Sequence, residues 1–153
     1  MMVAEFATRR ITRHGLAASA FQPSTANSKE GYRPGVCNIG PEEIARRRRA
    51  GHVGLIVTVV VLAVLLAVRA PALARLVVFV PAAGAAIGYL QAWFRFCAGF
   101  GARGVFNFGE LGRTESVSDP EAAARDRAMA RRLALGASAI GAVVAIVAAL
   151  LPA

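Results

Sequence analysis

The chain has 153 residues, 56% of them apolar, with a mean hydropathy of +0.52 and a formal net charge of +9. That apolar share, gathered into three long runs, excludes an ordinary soluble domain of this length. Most of the positive charge is arginine beside those runs, which fits a membrane flank and argues against a nucleic-acid interface.

In chain order, residues 1 to about 34 mix Ser, Thr, Asn, Gln and Pro with Arg9, Arg10 and Arg13 and keep no hydrophobic period. This composition predicts a disordered cytoplasmic tail. It lacks the apolar centre of a secretory signal, although an arginine-bearing, acid-poor start resembles an organellar presequence. The heavy use of Ala, Arg, Gly and Val favours a bacterial source.

Order is expected from residue 35. In "CNIGPEEIARRRRAGHVG", Gly40 and Pro41 followed by Glu42 and Glu43 form a helix start, with proline at the first helical position and carboxylates at the positive end of the dipole. The helix is expected to run through Arg46, Arg47, Arg48 and Arg49 into a first span at about 51–69, with Gly51 or Gly54 as the place for a bend. Those arginines suit anionic lipid headgroups.

A short turn at Pro71 leads to a second span at about 74–95, which makes the pair an antiparallel hairpin. Arg69 and Arg75 are expected to extend into water, and Pro81 to kink or locally open the helix. Gly84 and Gly88 share one face and allow close packing. Tyr89, Trp93 and Arg95 read as interface anchors.

The following "FCAGFGARGVFNFGELG" satisfies G-x-G-x-x-G from Gly99 to Gly104, and Asp119 stands where a dinucleotide fold has its acidic residue. A Rossmann unit needs a strand before the first glycine and a parallel sheet around it. Here a spanning helix precedes the glycines, so the segment is read as a glycine-hinged interfacial loop presenting Phe100, Phe106 and Phe108. The hairpin unit thus occupies 35–112.

The remaining 113–153 form a helical lead-in and a third span at about 132–151. Asp119 is a predicted N-cap, with Pro120 and Glu121 first and Arg125, Arg127, Arg131 and Arg132 later. Gly136 and Gly141, with Ala137, Ser138 and Ala142, form a surface fit for helix packing. Arginine is dense before the first span and between the second and third, and sparse elsewhere. This asymmetry places the N-terminus in the cytoplasm and the C-terminus outside.

Chemistry is sparse. No carboxylate pair or mid-span charge marks an ion pathway, no serine is set up as a nucleophile, and no cofactor is implied. Cys37 and Cys97 both fall at cytoplasmic helix ends, where thiols stay reduced. With His52 they are the candidate soft-metal ligands, although a structural role for all three is the simpler reading.

"CNIGPEEIARRRRAGHVGL", two apolar runs and "FCAGFGARG" together resemble a small bacterial inner-membrane hairpin domain of unknown function, sometimes fused to a rhodanese sulfurtransferase. The matching positions are Asn38, Gly40, Arg47 or Arg48, Gly51, Cys97 and Gly101. The chain departs from that pattern at Glu43 and the arginines, which replace an Asp-Arg pair, and at Ala98, which replaces a proline. The resemblance implies a dimerising membrane hairpin with sulfur relevance at Cys97. The combined expectation is an all-α integral membrane protein of three transmembrane helices in a bacterial inner membrane. It is not an enzyme but an accessory component packing with itself or with other membrane subunits. The alternative is a cytoplasmic-face thiol module acting through Cys37 and Cys97.

Overall fold

A computed structural model describes residues 31–152 of the chain. The expected tail over residues 1–30 lies outside the described residues. Residues 31–34 do not continue it, because a tight turn at Arg33 to Cys37, closed by Arg33 N–H to Cys37 O (2.9 Å) and Cys37 N–H to Arg33 O (3.0 Å), already packs on the fold.

Helix α1 spans Pro41–Ala67, with Gly40 as N-cap, Pro41 in its first turn and Glu42 and Glu43 at its positive end. It passes through the four arginines and both glycines as one helix. Gly51 and Gly54 are contact points: a Cβ on Gly54 would come within 2.8 Å of the Ala85 backbone nitrogen. After α1, Arg69 adopts a left-handed φ of 52°. Arg69 N–H to Leu66 O (3.0 Å) and Ala70 N–H to Leu65 O (2.8 Å) complete a Schellman closure.

The second apolar segment, Ala72–Trp93, is built from α2 (Ala72–Arg75), a 3-10 turn (Leu76–Val78) and α3 (Phe79–Trp93). Pro81 is the third residue of α3. Its missing N–H would have pointed four residues back to Val77, inside the 3-10 turn, so the local opening expected of proline is taken up there. Helix α5, Pro120–Leu150, starts at Asp119, whose carboxylate accepts from Glu121 N–H (3.0 Å) and Ala122 N–H (3.2 Å).

The fold is mostly helical, and α1, Ala72–Trp93 and α5 are each long and apolar enough to cross a membrane. Helix α3 packs on both α1 and α5, whereas α1 and α5 share no substantial contact. The three therefore form a row with α3 in the middle. Close approach on both sides of α3 requires missing side chains: a Cβ on Gly88 would lie 2.6 Å from the Gly51 nitrogen, and one on Gly141 would lie 2.8 Å from the Ala83 Cβ. The buried residues of α5, from Ala130 and Leu133 through Ala137, Gly141 and Ala145 to Ala148, recur at three and four and define its inner stripe.

Arg75 does not extend into water. It is 3% exposed, with Nε donating to Ala70 O (2.9 Å) and Nη1 to Leu151 O (2.6 Å). The turn that follows α1 and the C-cap of α5 converge here, and one guanidinium bridges a carbonyl of each.

The Gly/Phe segment is also folded, contrary to the hinged loop expected. Helix α4 (Ala98–Arg103) ends on Gly104 in the left-handed region (φ 66°), and strand β1 (Val105–Phe106) pairs antiparallel with β2 (Glu115–Ser116). Gly101 is set by contact, since a Cβ there would come 2.5 Å from the Phe96 ring and 3.0 Å from Asp126 O. Phe96, Phe100 and Phe106 are buried in this cap and do not line its surface.

Gly84, unlike Gly88, has no neighbour among the described residues within 4 Å of the point where a Cβ would stand. Gly88→Ala is therefore expected to destabilise the fold by about 1–3 kcal/mol through overpacking, and Gly84→Ala to leave it unchanged or raise it by up to about 1 kcal/mol through helix propensity. Denaturant unfolding in mild detergent, followed by circular dichroism, checks both signs.

Candidate functional site

The cap is assembled around the segment 38–40. Asn38 is fully buried; its Nδ2 donates to Cys97 O (3.1 Å) and its Oδ1 accepts from Cys97 N–H (2.6 Å). Its backbone N–H reaches Arg95 O (3.2 Å), its carbonyl accepts from Asn107 N–H (2.9 Å), and Gly40 N–H donates to Asn107 O (2.8 Å). Ile39, Cys97 and Phe100 form a small apolar core beneath this lattice, with Ile44 and Val105 packed against it.

Cys97 ends the turn after α3 and is the N-cap residue of α4, with an extended backbone and no side-chain cap bond. Its thiol is 3% exposed and receives Arg47 Nη2 at 3.0 Å. The same guanidinium lies 3.4 Å from Glu43 Oε2 and 5.7 Å from the Phe100 ring centroid, with Arg103 at 5.6 Å from that ring. Glu43, 1% exposed, also accepts from Arg46 (2.9 Å). Glu43 Oε1 and Arg47 Nε are buried and have no partner among the described residues. The arrangement holds a guanidinium donor on a buried sulfur and keeps that donor in place with a buried carboxylate one helical turn earlier.

Cys37 is half-buried, and its Sγ faces Ile39 O at 3.9 Å; both cysteines are free. Asn38 links the backbones around the two thiols. His52 does not join them, since its Nδ1 meets Tyr89 Oη at 2.6 Å. Among the described residues no three His, Cys, Asp or Glu side chains converge as a metal site, so Cys37, Cys97 and His52 do not form the candidate metal set.

The remaining expected site residues are dispersed. Arg46, Arg48, Arg49 and Arg95 are exposed, Trp93 is 83% exposed, and Tyr89 is half-buried against His52 and Gly51. Phe100 and Phe106 face inward, and Phe108 is half-buried against Gly31 and Gly40. Gly88 and Gly141 sit at tight helix contacts, Gly136 makes an ordinary contact with Leu90, and Gly84 makes none among the described residues.

Two residues outside the sequence-derived set complete the cap. Asp126 is fully buried, accepting Tyr32 Oη–H at 2.8 Å and Gly35 N–H at 2.6 Å. Tyr32 stacks on Phe106 at 4.6 Å between centroids. A signal for Asp126 was present: it lies four residues before Ala130 and seven before Leu133, a carboxylate in phase with the apolar stripe of α5.

Burial, followed by the Asp126 hydrogen bond and charge, pushes the Tyr32 phenol well above its ordinary value of 10.0. A group whose folded pKa is raised contributes stability that is complete below its unfolded pKa and is lost as pH rises toward the folded one. The chain should therefore lose stability above about pH 10 relative to Tyr32→Phe. That variant should be weaker by about 1–3 kcal/mol at neutral pH, because Asp126 loses a donor in a buried site. Unfolding measured across pH, with phenolate absorbance as a second readout, tests both limbs.

No protein-family model, no curated protein and no solved structure matches the chain.

Proposed function

We propose that the chain is a non-enzymatic, multi-pass protein of a bacterial inner membrane that packs with a second copy or with subunits of a larger membrane complex. Its apolar surface supports the membrane reading. Val53, Ile56, Val60 and Val64 of α1 and Leu135, Val143, Ile146 and Leu150 of α5 are exposed, more apolar area than a soluble monomer tolerates. The cap end carries exposed Arg46, Arg48, Arg49, Arg127, Arg131 and Arg132, whereas the other end exposes Arg69 and encloses Arg75. By the positive-inside rule the cap is cytoplasmic.

The observation that carries the packing role is the open face of α3. Val77 in the 3-10 turn and Val80 and Gly84 in α3 follow one another at three and four residues, are exposed, and leave a notch at Gly84 that none of the described residues fills. A backbone notch between branched side chains suits a neighbouring helix. The resemblance to the dimerising hairpin domain agrees with this reading. Of the positions behind it, Asn38, Gly40, Gly51, Cys97 and Gly101 are buried and serve packing or backbone hydrogen bonds, whereas Arg47 is half-buried against Cys97 and Arg48 is exposed.

The contact of Arg47 with the Cys97 sulfur favours a second reading, a cytoplasmic-face thiol module for sulfur or redox equivalents. Thiol trapping in cells followed by mass spectrometry separates the two: persulfidated or oxidised Cys97 supports the module, and uniformly reduced Cys97 under sulfur and oxidant stress removes it.

For the first reading, crosslinking in native membranes should give a dimer or a fixed heteromeric band. Gly84→Leu should weaken it roughly 5–30-fold if about 1–2 kcal/mol of helix contact is lost, with helicity unchanged. Only monomers from the unaltered chain would end the proposal. In intact cells, a membrane-impermeant thiol reagent should label Leu73→Cys, at the exposed hairpin turn, and leave Cys37 unlabelled until the cells are permeabilised. The opposite pattern would reverse the orientation.

A further inference from the structure

A groove of about 370 Å3 lies between α4 and α5, lined by Ala98 and Ala102 on one side and by Arg127, Ala130, Arg131 and Ala134 on the other. The four α5 positions recur at three and four residues and so share one face, as do the two on α4. The floor of the groove is alanine on both helices, and the two larger lining side chains, Arg127 and Arg131, are exposed. Its charge is one-sided. Arg125 engages Asp119 and Glu121, but among the described residues Arg127 and Arg131 form no ion pair, and both are exposed.

The position of the groove along α5 points to its occupant. Arg131 and Arg132 are the last charges before the uncharged stretch from Leu133 to Leu151, and Ala134 already belongs to that stretch. At this level Phe96 packs with Ala130 and Leu133, and the preceding helix ends at the exposed Trp93. The guanidiniums thus stand at the polar edge and the alanine floor continues into the apolar part. An inorganic anion has no use for the floor, and a neutral lipid none for the two guanidiniums.

We propose that this groove binds one anionic phospholipid, with the phosphate between Arg127 and Arg131 and the first part of an acyl chain along Ala98, Ala130 and Ala134. The proposal rests on the membrane reading above and adds a defined site to it. The groove is open, so it takes the headgroup end of the lipid while the rest of the chain stays in the bilayer; its volume falls within the roughly 300–1,000 Å3 usual for small-molecule sites.

The test uses the full chain in mild detergent, with phosphatidylglycerol or phosphatidylcholine added and bound lipid counted by native mass spectrometry. Retention of phosphatidylglycerol should exceed that of phosphatidylcholine by about tenfold, equivalent to about 1.4 kcal/mol. Joint Arg127→Gln and Arg131→Gln should abolish the difference. Arg33→Gln with Arg113→Gln, which removes the same charge from exposed positions elsewhere, should preserve it. Joint Ala102→Leu and Ala134→Leu, which fills the groove and keeps both arginines, should also abolish it, with helicity as the check on folding. Equal retention of the two lipids, equal loss in the Arg33 and Arg113 variant, or displacement by inorganic phosphate would overturn the site. Alkaline carbonate extraction of cell membranes keeps the two readings apart. Release of the unaltered chain removes the membrane reading and this site with it, whereas resistance combined with no lipid preference removes the site alone.

Discussion

Asn38 donates to the Cys97 carbonyl and accepts from the Cys97 amide, so one neutral side chain closes the backbone where α3 has ended and α4 begins. The chain needs this at that point. Arg95 has turned the helix end through a left-handed φ of 52°, and Cys97 offers no side-chain cap of its own to α4. An unpaired amide and carbonyl in this core would each be costly. A carboxamide supplies donor and acceptor on two separate atoms without charge, which lets one side chain pair both the amide and the carbonyl of the same residue. Because Asn38 is held there, residues 38–40 lie between Arg95 and Asn107, and Gly40 delivers Pro41 as the start of α1 at a fixed position. Glu43 and Arg47 follow on the first turns of that helix, which is how a guanidinium comes to rest on the Cys97 sulfur.

The spans and their starts are legible in the sequence because their causes are local. Uncharged runs, Pro41 after Gly40, and Asp119 before Pro120 act within a few residues of where they stand. Arg75 is not legible in this way, because its partners, Ala70 and Leu151, come together only when the turn after α1 meets the C-cap of α5. In sequence it is simply an arginine beside a turn. The Gly/Phe segment misleads for a related reason. Closely spaced glycines signal either a hinge or a tight contact, and the neighbour that decides for contact at Gly101 is the carbonyl of Asp126, twenty-five residues later. Once the contact is made, the rings of Phe96, Phe100 and Phe106 turn inward and leave Trp93 and Phe94 as exposed aromatics at the end of α3.

The two ends of the helical row solve one problem with opposite chemistry. At the hairpin end the turn after α1 and the C-cap of α5 each direct a carbonyl to Arg75, and a buried cation is the fitting answer. At the cap end the chain arrives in extended and turned segments whose amides need acceptors. There a buried carboxylate, Asp126, receives Gly35 N–H and the Tyr32 hydroxyl, while the Asn38 amide handles the neutral junction. Each of these two buried charges, Arg75 and Asp126, is thus matched by donors or acceptors of the opposite sense, and neither requires an ion pair with another side chain.

Helix lengths explain why cap and row act as one body. At 1.5 Å per residue, the 31 residues of α5 extend roughly 46 Å, against a hydrocarbon thickness of about 30 Å. On the membrane reading proposed above, the surplus is the lead-in on which Asp126 stands and against which α4 packs. Ala130 and Leu133 then belong to two contacts at once, the core under Phe96 and the stripe that α5 turns toward α3. A shift of α5 against α3 therefore cannot stop at the helical row. It must also alter the spacing between Ala98 and Ala102 on one side and Ala130 and Ala134 on the other, and through α4 the seat of Cys97.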